Sequence, residues 1–95
     1  MSAIVKPKFE LGQLVATPNA IQALSRNGTN DSQYVRRHQV GDWGDVSEDD
    51  AQENEYALTQ DLRIMSAYTL KDGTRLWIIT EGDRSVTTVL LPEEY

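Results

Sequence analysis

Cysteine is absent from this chain of 95 residues. Its absence excludes disulfides, thiolate metal centres, thiol nucleophiles and iron–sulfur clusters, and it fits a reducing cytosol. Long apolar runs are absent as well. The longest, Leu76–Ile79 and Val89–Leu91, fall far short of a membrane span. Lys6 and Lys8 have no apolar stretch behind them, so a signal peptide is not expected and the expected location is the cytoplasm. Basic residues are scarce: 9 Lys and Arg stand against 15 Asp and Glu, a formal charge of −6. Phosphate binding rests on Lys and Arg, so direct contact with nucleic acid is not expected. No glycine-rich phosphate loop, nucleophile elbow or internal repeat occurs. A cleft between paired carboxylates, as in glycoside hydrolysis, needs more chain than this. Apolar residues make up 39% and charged residues 25%, which reads as one globular domain over 1–95 with a loose lead-in at 1–8.

The charge that is present is unevenly placed. Residues 1–41 carry a net +3 and residues 62–95 a net −1. Residues 42–61 carry −8: Asp42, Asp45, Glu48, Asp49, Asp50, Glu53, Glu55 and Asp61, with no basic residue. Like charges this close need solvent or a cationic partner. The segment is therefore either a solvated helix face or an acidic contact surface.

Along the chain, Phe9–Ala16 reads as a strand weakened by Gly12. Thr17 and Pro18 then give a helix start, and Gly28 its end. Asn30, with Gln33 at the reciprocal position, predicts the cap of a short second helix that carries Tyr34, Val35 and His38 on one face. Gly41 to Asp45 form a tight glycine-bracketed loop. Ser47 caps a third helix running to about Gln60, with Val46 stapled onto Ala51 and a thin inner face of Ala51, Asn54, Ala57 and Leu58. Glu48, Asp49 and Asp50 lie in its first turn, where the helix dipole favours negative charge. Leu62–Leu70, Thr74–Thr80 and Ser85–Leu91 read as three strands joined by turns at Asp72-Gly73 and Glu81–Arg84, with the second strand central. The expected fold is α+β: a two-layer domain of order β-α-α-α-β-β-β, with a C-terminal antiparallel meander, the first strand on one of its edges and helices on one face.

Three kinds of chemistry compete for the polar residues. His38, beside Arg37 and with Arg63 further along, could serve a small ribonuclease of the toxin type as general acid or base with phosphate-stabilising cations. A single histidine on the apolar side of a helix can equally be a packed, hydrogen-bonded core residue. Asp42, Asp45, Asp49 and Asp50 have the oxygen chemistry for calcium or magnesium, but their spacing fails the EF-hand pattern, so no metal and no other cofactor is expected. Trp43, between two acids in a glycine-bracketed loop, is either an interface anchor or a lid over the helix–sheet junction.

Arg37-His38-x-x-Gly41-Asp42-Trp43-Gly44-Asp45, Ser66-Ala67-Tyr68, Asp72-Gly73-Thr74-x-Leu76 through Glu81 and the tail Thr87 through Tyr95 resemble a family of small plasmid-related proteins. Its members occur on bacterial plasmids, integrated conjugative elements and prophages. The resemblance implies a mobile-element accessory protein and brings no catalytic residue with it.

The leading expectation is a non-enzymatic interaction protein, possible inhibitors of host defence or nucleic-acid-binding proteins included. It would meet the basic surface of another protein through Asp42, Trp43, Asp45, Glu48, Asp49 and Glu53. The alternative is the RNA-acting domain using His38, Arg37 and Arg63. A third reading is self-association through an edge of the meander.

Overall fold

Ile64, Ser66, Tyr68 and Leu70 alternate with Met65, Ala67 and Thr69, and this period of two decides the architecture. The computed structural model describes residues 6–95. The expected lead-in thus lies partly outside the described residues; Lys6, Pro7 and Lys8 carry no regular structure, and the Lys8 amide donates to the Gln39 carbonyl.

The elements are β1 (Gln13–Ala16), α1 (Pro18–Arg26), α2 (Ser32–Gln39), α3 (Glu48–Gln60), β2 (Ile64–Thr69), β3 (Arg75–Thr80) and β4 (Val86–Leu90), closed by a 3-10 turn at Pro92–Glu94. The sheet order is β1-β4-β3-β2. The fold is α+β with three helices and a mixed four-stranded sheet, in the expected order. The meander β2-β3-β4 is antiparallel, and β1 joins its β4 edge in parallel. The long connection permits parallel pairing: all three helices and the meander's first two strands separate β1 from β4.

One sheet face carries Ile64, Ser66, Tyr68, Leu76, Ile78, Thr80, Thr87 and Val89, all buried. The helices cover this face. Ala20, Ala23 and Leu24 of α1 and Val35 of α2 join Tyr68, Leu70, Leu76, Ile78, Val89 and Leu91 in the main core. Ala57 of α3 forms a second cluster with Trp43 and Ile64, flanked by Phe9, Val46, Ala51 and Leu58.

Local chemistry sets the helix starts. The Thr17 hydroxyl accepts from the Ala20 amide at 3.1 Å, and Ser47 accepts from Asp50 at 3.1 Å. At α2 the expectation needs correction. Asp31 occupies the cap position without a side-chain bond, while Asn30 accepts from the Ser32 amide in an Asx turn. Gln33 reaches Thr29 instead. The first strand is also shorter than expected. Gly12 adopts φ +64°, and a Cβ there would lie 2.3 Å from the Ser85 carbonyl oxygen, so the chain turns at Gly12 and pairs only from Gln13. Phe9 is thereby released to pack into the second cluster.

Among the described residues, no helix is long and apolar enough to cross a membrane.

Candidate functional site

The acidic segment begins in the loop after α2. Arg37 donates to Asp42 at 2.7 Å, and this pair holds the Asp42 carboxyl below the usual range. The Tyr68 hydroxyl donates to the Asp42 carbonyl at 2.7 Å; its burial raises its own pKa to about 12. Next, Gly44 forms a parallel bridge to Ala67. The Ala67 amide donates to the Trp43 carbonyl at 3.1 Å, and the Asp45 amide to the Ala67 carbonyl at 2.6 Å. A Cβ on Gly44 would sit 2.0 Å from that Ala67 oxygen, so only glycine allows this approach. The loop thus closes the outer edge of β2.

That closure fixes Trp43 inward. It is 6% exposed, packs beside Phe9 and His38, and donates its Nε1–H to Glu55 at 2.9 Å. Its role as a surface anchor is therefore corrected: Trp43 is the lid over the helix–sheet junction.

Helix α3 extends the same closure. Asn54, buried, donates to the Met65 carbonyl at 2.8 Å and accepts from the Met65 amide at 3.1 Å. One amide side chain takes the place of a neighbouring strand. The inner face is Ala51, Asn54, Ala57 and Leu58, as the spacing predicts. At the far end Arg84 holds the helix. Its guanidinium donates to the Ala57 carbonyl at 3.0 Å and the Leu62 carbonyl at 2.6 Å. No basic residue lies in the last turn of α3 itself, so Arg84 supplies the cation that its carbonyl end favours.

The outer face of α3 faces water. Tyr56 stands two residues from Asn54, about 200° around the helix axis. Asp49, Glu53, Tyr56 and Gln60 therefore form one outward row, with Glu48 and Gln52 beside it. All are exposed, Tyr56 by 58%. Among the described residues the ion pairs are Arg37–Asp42 and Arg63–Glu81, so Glu48, Asp49 and Glu53 carry no internal counter-charge. Asp45 is exposed too and accepts from Thr69 at 2.7 Å. Tyr56 is not among the candidate residues named from the sequence; its helical spacing from Asn54 and Ala57 is the signal for its outward position.

His38 sits elsewhere and differently. It is fully buried, with Ser66 at 2.5 Å from Nδ1 and Thr80 at 2.9 Å from Nε2. Thr80 contacts Thr87 at 2.7 Å, and Thr87 donates to the Leu11 carbonyl at 2.7 Å. The chain of donors assigns the tautomer. Thr87 spends its proton on Leu11, so Thr80 donates to Thr87 and must accept from Nε2–H. Nδ1 then accepts from Ser66. Phe9 and Trp43 cover the ring edge-on, and this burial lowers the His38 pKa to about 3.

The alternative site does not assemble. His38 has no exposed surface for a substrate. Arg37 of α2 lies over the ring of Tyr68, while Arg63 stands beside Glu81 and Tyr95, five residues before Tyr68 or about 17 Å along extended chain. The three do not converge, and the ribonuclease reading fails on that geometry. Among the described residues no group of three or more His, Asp or Glu is placed to hold a metal ion.

No family model, curated protein or solved structure matches this chain.

Proposed function

We propose that this chain is a non-enzymatic interaction protein whose acidic α3 face engages a basic surface of another protein. One observation carries the reading: Glu48, Asp49 and Glu53 stand exposed on the N-terminal side of an exposed Tyr56, with no internal counter-charge among the described residues. Capping and dipole effects account for acids in the first turn of a helix. They do not reach Glu53, nor do they call for an exposed aromatic ring three residues beyond it. An aromatic anchor within a charged rim is the usual make-up of a protein contact.

Asp42 and Asp45 flank this face with weaker claims, since Arg37 and Thr69 already engage them. The partner is a protein with a cationic groove of the kind that otherwise holds nucleic acid, and inhibition follows from occupying that groove. The setting is the bacterial cytoplasm, where the chain serves a plasmid or prophage as an accessory protein, in keeping with the resemblance of its loop and tail.

The test replaces Glu48, Asp49 and Glu53 by Gln, Asn and Gln and captures partners from a bacterial lysate at low and high salt. The wild-type chain retains a partner at low salt, releases it at high salt and yields it to competing duplex DNA. Recovery that is unchanged in the variant and indifferent to salt contradicts the reading.

A further inference from the structure

The two edges of the sheet are finished in opposite ways. The β2 edge is closed by Gly44, Asp45 and Asn54, as described above, so the meander's own edge is not available for self-association. The β1 edge is open among the described residues. The Gln13 amide donates to the Ser85 carbonyl at 2.9 Å and the Thr17 amide to the Val89 carbonyl at 3.0 Å. In a parallel ladder this turns the backbone groups of Gln13, Val15 and Thr17 toward β4 and those of Leu14 and Ala16 outward. The side chains there are apolar and uncovered: Leu14 is 43% and Val15 37% exposed. Natural edges are usually blunted by a charge, a proline or a bulge. Gln13–Ala16 has none of these.

We propose that the open β1 edge pairs with β1 of a second copy of this chain, making one continuous eight-stranded sheet across a two-fold axis. Three features select a second copy as the occupant. First, the strand is self-complementary. An antiparallel pair centred on Val15 sets Leu14 opposite Ala16 of the other copy, where each N–H meets the other's carbonyl. Second, the side chains continue. Met65, Ile79, Thr88 and Val15 already lie in register across the sheet on the face away from the helices. Pairing brings Val15 against its own mate, and that row runs through both copies without a charged residue. Third, the charge distribution permits contact here. A chain of net charge −6 repels its copies, but residues 11–17 carry no charge. The acidic α3 packs at β2, three strand spacings or about 14 Å from β1. In the dimer the two β2 strands stand about 33 Å apart, well beyond the screening length. The two acidic helices then point away from the junction at opposite ends of the sheet.

This inference does not depend on what α3 binds. The experiment is sedimentation of the full chain from about 5 µM to about 1 mM, a span that brackets a modest edge-on dimer. The wild-type chain passes from monomer to dimer with rising concentration. Leu14→Pro removes only an outward amide and leaves every β4 bond in place, so it sediments as a folded monomer throughout. Val15→Lys opposes two ammonium groups across the axis and weakens the dimer at least about tenfold, which decides the matter should the proline variant fail to fold. A wild-type chain that stays monomeric to the highest concentration overturns the proposal, as does a dimer that Val15→Lys leaves intact.

Discussion

Helices α2 and α3 lie on the same sheet face, and both are strongly polar, but they dispose of their polar groups in opposite directions. Helix α2 turns His38 into the sheet, where it ties Ser66 to Thr80. Arg37 is closed by Asp42, and Gln39 donates to the Phe9 carbonyl at 3.0 Å. Helix α3 sends Asn54 inward, lends Glu55 to the Trp43 indole, and leaves Asp49, Glu53 and Tyr56 facing water. A buried polar group without a partner is costly, so an internal network identifies structure. A charge held in solvent at no internal profit is free to serve a partner. The comparison explains why the histidine, the first residue a chemist would suspect, is structural, and why the plainer face of α3 is the better candidate.

The largest way to break the comparison is His38→Leu. The apolar side chain fits the volume but strands the Ser66 donor and the Thr80 acceptor. Denaturant unfolding should show a loss of about 2–4 kcal/mol. Asn54→Ala should follow at about 1–3 kcal/mol, since it leaves the Met65 amide and carbonyl unpaired at the β2 edge. The inward groups of both helices thus carry stability.

Acid sharpens the contrast. Unfolded, His38 takes a proton near 6.5; folded, it resists until about 3. Between these values the unfolded state binds the extra proton, so stability falls as pH falls through that window. The contribution is about 1.4 kcal/mol per pH unit. His38→Gln keeps a donor and an acceptor but cannot titrate, so the slope of stability against pH between 6 and 4.5 should be shallower in that variant by about this amount. The carboxylates held low by hydrogen bonds, Asp42, Asp72, Asp83 and Glu94, lose their contributions at lower pH in both proteins alike.

The smallest effect on stability should come from the outer face of α3. Neutralising Glu53 alone should change stability by less than about 0.5 kcal/mol, as for other exposed charges. Thermal unfolding checks this directly, and a larger loss would mean that the face has an internal role.

Much of this was legible in the residues. Thr17 and Ser47 announce their helices by local hydrogen bonding, and the inner row of α3 follows from helical spacing alone. The strands of the meander follow from alternation and from the turn at Asp72-Gly73. What escaped depends on contacts distant in the chain. Gly12 breaks the first strand because the Ser85 carbonyl lies against it. Trp43 turns inward because its loop bridges to Ala67. The partners of His38 come from two strands, with Thr87 of a third behind Thr80, reached only after the chain has folded back. The parallel entry of β1 has no local signature either. The outward position of Tyr56, by contrast, follows from helical spacing alone.

The most direct test of the central claim places a photo-crosslinking amino acid at Tyr56 and, separately, at Ile21, which is also exposed but lies on α1. In bacterial cells the α3 position should yield a discrete crosslinked partner that disappears when Glu48, Asp49 and Glu53 are neutralised, and the α1 position should not. A product at Ile21 with none at Tyr56, or a Tyr56 product that survives neutralisation, would contradict the account.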